Sequence, residues 1–145
     1  MTAASKPRID FYILNTTGAT GRLNFVCRLA EKAYGTLSAI YAHADSKATA
    51  QQLDEMLWTF RQGSFVPHEI LSDAPPRAPV RIGTVAHNPA EGELLINLTG
   101  QVPEFAKQFD RVAEIVDADP AQRAAGRSLF RQYREMGMEP VTHNI

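Results

Sequence analysis

Apolar positions along the chain switch between two periods. Ile9 to Leu14 (IDFYIL) is rich in β-formers and continuously apolar after Asp10, the pattern of a strand buried in a parallel sheet. Asn15 to Gly21 carries glycines and threonines and reads as a loop. From Arg22 to Tyr34 the set Leu23, Val26, Cys27, Ala30 and Ala33 steps by three and four, which predicts an amphipathic helix that Gly35 stops. The cycle then repeats. Leu37 to His43 predicts a second strand, and Asp45 or Ser46 is placed to N-cap a helix running to about Phe60, with Leu53, Met56, Leu57 and Phe60 on its apolar side. Strand and helix alternating at this spacing mark βαβ units, which set parallel strands between helical layers.

The second half is more broken. Arg61 to Pro79 is interrupted by prolines and reads as a loop or a partly extended connector. Val80 to Val85 and Glu93 to Leu98 are predicted strands, and the turn-forming His87 to Gly92 (HNPAEG) between them predicts a hairpin. Pro103 to Phe109 predicts a short helix and Val112 to Val116 a fifth strand. Asp119 caps and Pro120 opens a last helix that reaches Met136, and Gly137 ends it before a tail to Ile145. Met1 to Arg8, small and polar, is expected to be disordered. Residues 9–145 are then expected to form a single α/β domain, a three-layer α/β/α fold with a five-stranded, mostly parallel sheet.

Composition narrows the function mainly by exclusion. The length of 145 residues is that of one domain. Lys plus Arg is 15 against 16 Asp plus Glu, a net charge of -1, which argues against a protein whose main task is gripping phosphate backbones. A single cysteine, Cys27, excludes a disulfide framework or a multi-cysteine metal site. On the apolar face of the first helix it reads as core packing. No apolar stretch approaches the roughly 20 residues needed to cross a bilayer. The start lacks the apolar core of a secretory signal, so a cytoplasmic location is expected.

Catalytic patterns fail one by one. Gly18 to Leu23 (GATGRL) lies where α/β folds often hold phosphates. It has two residues between its glycines and lacks the Lys-Ser/Thr pair of a Walker loop. A small nucleotide-binding domain or enzyme using Gly18 to Arg22 is the alternative reading. His43, His68, His87 and His143 are scattered, with no ligand spacing for a metal. Asp10 and Asp45 suggest a magnesium site, but Asp10 sits near the start of its strand and such sites lie at strand C-termini. No catalytic residue, metal site or cofactor emerges.

Two surfaces stand out. On the last helix, Arg123, Arg127, Arg131 and Arg134 fall within one sector of roughly 80°, opposite a stripe of Ala125, Leu129, Tyr133 and Met136 that is expected to face the sheet. Phe130 lies at the seam beside the arginines. An arginine row bordered by an aromatic ring suits an acidic ligand with one apolar side chain, the guanidiniums taking carboxylates in paired hydrogen bonds. The second surface follows the second helix, where Trp58 flanks the buried set and Phe65, Val66 and Pro67 sit in a loop, together an apolar docking patch.

Several segments then fall into a familiar order: Leu53 to Trp58 (LDEMLW), Ser64 to His68 (SFVPH), Leu95 to Leu98 (LINL), and Phe130 to Arg134 (FRQYR) followed by Gly137. With Phe11-Tyr12 in the first strand, the chain resembles, essentially end to end, the chi subunit family of the bacterial DNA polymerase III holoenzyme. The resemblance implies an α/β/α fold without catalytic activity or cofactor. It implies an adaptor with two faces, one for the psi subunit and through it the clamp loader. The other takes the acidic C-terminal tail of single-stranded-DNA-binding protein, so that DNA is reached only indirectly and no membrane is involved. Carried over by position, the psi-side residues are Trp58, Phe65, Val66 and Pro67. The tail-binding residues are Arg127, Phe130 and Arg131, with Tyr133 and Arg134 as supports.

Overall fold

The middle layer is a sheet of seven strands, every neighbouring pair parallel. The computed structural model describes residues 7–87, 89 and 92–145. Its elements are β1 (Arg8–Ile13), α1 (Ala19–Tyr34), β2 (Ile40–His43), α2 (Lys47–Thr59), β3 (His68–Ile70), β4 (Val80–Gly83), β5 (Gly92–Asn97), β6 (Phe109–Val116), α3 (Pro120–Glu135) and β7 (Val141–Asn144), with a 3-10 turn at Ala106–Gln108. Across the sheet the order is β3-β4-β2-β5-β6-β1-β7. The expected disordered segment lies outside the described residues over 1–6, whereas Arg8 already opens β1. Residues 88, 90 and 91 of the expected turn also lie outside them.

Side-chain alternation along the strands builds two cores. On one face α1 and α2 pack Leu23, Val26, Cys27, Leu53 and Leu57 against Tyr12, Ile82 and Ile96. On the other, α3 packs Leu129 and Tyr133 against Ile9, Phe11, Val112 and Val116, beside Phe105 and Phe109. The three-layer α/β/α class therefore holds, with seven strands rather than five.

The extra strands are the two edges. β3 has three residues and β7 four, too short and too polar for a period to register, so the sequence alone shows them as connector and tail. The expected hairpin does not form. β4 and β5 both pair with β2, one on each side, so that Ile40 faces Val80 and Leu94. A tight turn joins only antiparallel neighbours, and β2 already occupies the place between these two strands.

Helix ends follow their caps. Ser46 Oγ accepts from Thr49 N at 3.1 Å to open α2. Asp119 accepts from Ala121 N at 3.1 Å and Gln122 N at 3.3 Å to open α3, with Pro120 next. α1 starts at Ala19, a turn earlier than expected. The inward line of α3 is Gly126, Leu129 and Tyr133, whereas Ala125 is exposed and Met136 only half-buried. A Cβ at Gly126 would stand 3.0 Å from Val116 Cγ2, so the bare backbone there lets α3 sit low on β6.

Candidate functional site

The outer side of α3 carries Arg127, Arg131 and Arg134, all exposed. None has an ion pair or side-chain hydrogen bond among the described residues. Arg123 departs from this row. Its Nε donates to Asp117 O and its Nη2 to Leu14 O, both at 3.0 Å, so it is half-buried and caps the ends of β6 and β1. Phe130 is half-buried, its ring 5.3 Å from that of Phe11. It forms one wall of a cleft of about 150 Å³ with Phe11, Ile13, Val116, Gly126, Arg127, Thr142 and the internally bonded Arg123. The cleft thus has a hydrophobic floor from β1 and an unpaired guanidinium at its lip.

Tyr133 faces the other way and is fully buried. Its hydroxyl donates to Glu114 Oε2 at 2.6 Å, and Asn97 Nδ2 donates to the same oxygen at 2.8 Å. Burial, only partly offset by these bonds, pushes the Glu114 carboxyl up to about 7. Burial and the Glu114 charge also push the Tyr133 hydroxyl up. Tyr133 therefore seats the helix, and its side chain lines no surface.

The second patch is split by its own backbone. Trp58 and Phe65 are 55% and 64% exposed, with ring centroids 5.9 Å apart. His68 lies 4.5 Å beneath Trp58, held by Val66 O at 2.6 Å and Asp54 O at 3.0 Å. Pro67 is half-buried. Val66, expected in the patch, is 1% exposed and belongs to the core under α2. It anchors the loop and presents no side chain to a partner.

The remaining candidates resolve into structure. Ala19 to Arg22 form the first turn of α1, and Arg22 Nη1 donates to Gln122 Oε1 at 3.1 Å, tying α1 to α3. Burial pushes the Cys27 thiol up to about 12, consistent with a packing role. Asp10 accepts from Arg8 Nε at 3.1 Å, Arg111 Nε at 2.8 Å and His143 Nε2 at 2.8 Å. Burial works to raise its pKa, but these bonds and the nearby cations hold it below the usual carboxylate value. Asp10 is therefore occupied at the sheet's N-terminal end. Among the described residues no cluster of three His, Cys, Asp or Glu side chains is placed to hold a metal, and no helix is long and apolar enough to cross a membrane.

The family model described as "DNA polymerase III chi subunit, HolC" matches residues 7–141. The DNA polymerase III subunit chi of Pseudomonas aeruginosa is 41% identical over 138 residues, covering 95% of this chain and 96% of the relative. Those of Haemophilus influenzae and Escherichia coli are 28% and 26% identical, covering 94% and 88% of this chain and 96% and 90% of theirs. The chain belongs to the DNA polymerase III chi subunit family. Chi is a replication accessory subunit of that polymerase.

Chi shares its fold more widely. The C-terminal domain of the DEAD-box protein Dbp5 matches with a TM-score of 0.64 at 13% identity, over 94% of this chain and 90% of that domain. An S. cerevisiae Dbp5 chain bound to Nup159, Gle1, IP6 and ADP gives 0.70 at 12% identity, over 99% of this chain but 43% of that one. At such identities the likeness is of fold alone. Within this chi-family chain, two features escaped the sequence: the backbone capping by Arg123 and the Asp10 cluster. The first left no signal separating Arg123 from its neighbours one and two turns on. The second joins Asp10 to residues 101 and 133 positions away.

Proposed function

We propose that the chain is a non-catalytic adaptor of the cytoplasmic replication machinery, working without metal or cofactor. On α3 it takes the acidic C-terminal tail of single-stranded-DNA-binding protein. Through Trp58 and Phe65, with Pro67 beside them, it takes the psi subunit and so reaches the clamp loader. The observation that carries the tail reading is the conjunction at α3: Arg127, Arg131 and Arg134 unpaired among the described residues, next to an apolar cleft walled by Phe130.

The chemistry follows from that conjunction. The tail's terminal phenylalanine ring lies against Phe130 in the cleft, while its carboxylate and upstream aspartates meet Arg131 and Arg127, a form of terminal-carboxylate capture. Arg134 adds attraction from the next turn, and Tyr133 holds the helix in place from below. One ring and one carboxylate give micromolar affinity, about -8 kcal/mol. A partner that presents several tails on DNA multiplies this through effective concentration.

Titration calorimetry with a tail peptide tests the reading. The wild-type chain binds in the micromolar range, and more weakly as salt screens the exposed charges. Arg131→Glu abolishes binding while leaving the thermal unfolding curve unchanged. Equal affinity of wild type and Arg131→Glu removes the assignment.

A further inference from the structure

The two faces of the β1–β7 end of the sheet are unequally covered. On one face α3 lies over β1, its Phe130 and Tyr133 rings against Phe11. On the other the helical layer stops at α1, because α2 packs on its far side over β3 and β4. Parallel sheets are ordinarily covered on both faces. Beyond α1 a groove of about 860 Å³ remains instead. Tyr12, Phe25, Leu29, Leu37 and Ile145 supply its apolar lining.

The polar groups of this groove are unevenly satisfied. Deep in it, Arg111 Nη2 donates to Tyr12 Oη at 2.6 Å, and the Tyr12 ring stacks on His143 at 4.9 Å. With Asp10, which accepts from Arg111 and His143, these make a cluster whose polar groups are paired with one another. The rim differs. Arg28 and Lys32, one turn apart on α1, are exposed and have no side-chain partner among the described residues. Arg8 uses Nε on Asp10 but is 60% exposed. Of the two acids at the lower end, Glu93 already accepts from Ser38 N, Ser38 Oγ and Ala39 N. Asp110 alone does not balance the cations.

We propose that this groove seats an amphipathic helix of a partner protein, apolar where it meets Tyr12, Phe25 and Leu29 and acidic along the edge that meets Arg28 and Lys32. Such a helix, at the usual interaxial distance of about 8–10 Å from α1, completes the missing part of the layer. The stretch from Phe25 to Ala33 runs about 12 Å along α1, matching two to three turns of the incoming helix. The surface is separate from the α3 ridge, which lies on the opposite face. It is also separate from the Trp58 patch, which lies beyond the contacts of Glu31 with Ser64 and Arg61.

The test uses the full chain and fluorescence anisotropy. The probe is a labelled peptide of about eighteen residues, some five helical turns, blocked at both ends so that no terminal carboxylate is offered to α3. Leucines form one face and glutamates the other, and a control peptide has every glutamate replaced by lysine. The acidic peptide binds and the lysine peptide does not. Arg28→Glu with Lys32→Glu weakens the acidic peptide about tenfold or more, as expected for two partly exposed ion pairs, and lets the lysine peptide bind. Both sites are exposed, so circular dichroism melting of this variant matches wild type. Arg131→Glu binds the acidic peptide as wild type does. The proposal is overturned by no binding of the acidic peptide, by equal binding of both peptides, or by indifference to the double substitution. Sedimentation with phosphatidylglycerol vesicles through the same two residues, without peptide binding, overturns it in favour of a lipid surface.

Discussion

The ridge on α3 and the aromatic pair after α2 are both turned to solvent, for opposite reasons. The guanidiniums of Arg127, Arg131 and Arg134 stay out because water solvates them well and no described acid lies within reach. Trp58 and Phe65 stay out because their chain neighbours went in. Leu57 and Val66 are both in the core; on α2 Trp58 stands about 100° round the helix from Leu57, and in the loop leading to β3 burying Val66 leaves Phe65 outside. The first surface is thus led by charge and sensitive to salt. The second is led by apolar area, which salt does not screen. If each surface holds a partner, as proposed, the two contacts are expected to fail under different conditions.

The largest effect that sharpens this contrast is expected from Trp58→Ala. Losing an exposed aromatic anchor costs about 2 kcal/mol or more of binding, roughly thirtyfold, and the loss falls on psi while the tail peptide binds as before. Surface plasmon resonance with each partner in turn checks it, and equal loss for both partners breaks the division into two surfaces. Trp58 is the single tryptophan of the chain, so on the proposed reading its fluorescence is expected to change on adding psi and to stay constant on adding the tail peptide.

Next comes Arg123→Ala, which separates an arginine spent internally from the free ones on the same helix. Removing its bonds to Leu14 O and Asp117 O is expected to lower stability by about 2 kcal/mol, read by urea unfolding. The affinity of the folded protein for the tail stays within twofold or so. A strong loss of tail affinity at unchanged stability would place Arg123 back in the ridge.

The smallest effect concerns pH. The Glu114 carboxyl, raised to about 7 by burial, holds its proton in the folded state above the pH at which the unfolded chain releases it. Its contribution is therefore complete at acid pH and declines as pH rises toward 7. Between pH 5 and 6 the stability of wild type relative to Glu114→Gln falls by about 1 kcal/mol. His43, whose pKa burial and His87 lower, runs in the opposite sense, and taking the difference between the two proteins cancels it. A pH-independent difference refutes the buried, proton-holding Glu114 beneath α3.

Periodicity was a good guide wherever an element was long enough to show one. α2 and α3 and their caps Ser46 and Asp119 fall where Leu53, Leu57, Leu129 and Tyr133 place them. It failed where tertiary neighbours decide. His68–Ile70 and Val141–Asn144 become strands only because β4 and β1 offer them free edges. The false hairpin came from nearness in sequence, which carries no knowledge that β2 lies between. In the site, the outward arginines and the seam position of Phe130 were legible from helical steps. Val66 was not, since nothing local tells a loop valine whether its segment folds back. Nor was Arg123, whose carbonyl partners come from the ends of two separate strands.

β1 is flanked by β6 and β7, and its successive side chains point to opposite fronts: Phe11 and Ile13 pave the cleft by α3, and Tyr12 paves the groove beside α1. Inserting one residue ahead of Phe11 would exchange the two pavements wholesale, tyrosine for phenylalanine on each side, without altering composition elsewhere. A six-residue ribbon therefore acts as a double-sided template, and tolerance to length changes there should be far lower than in the neighbouring edge β7.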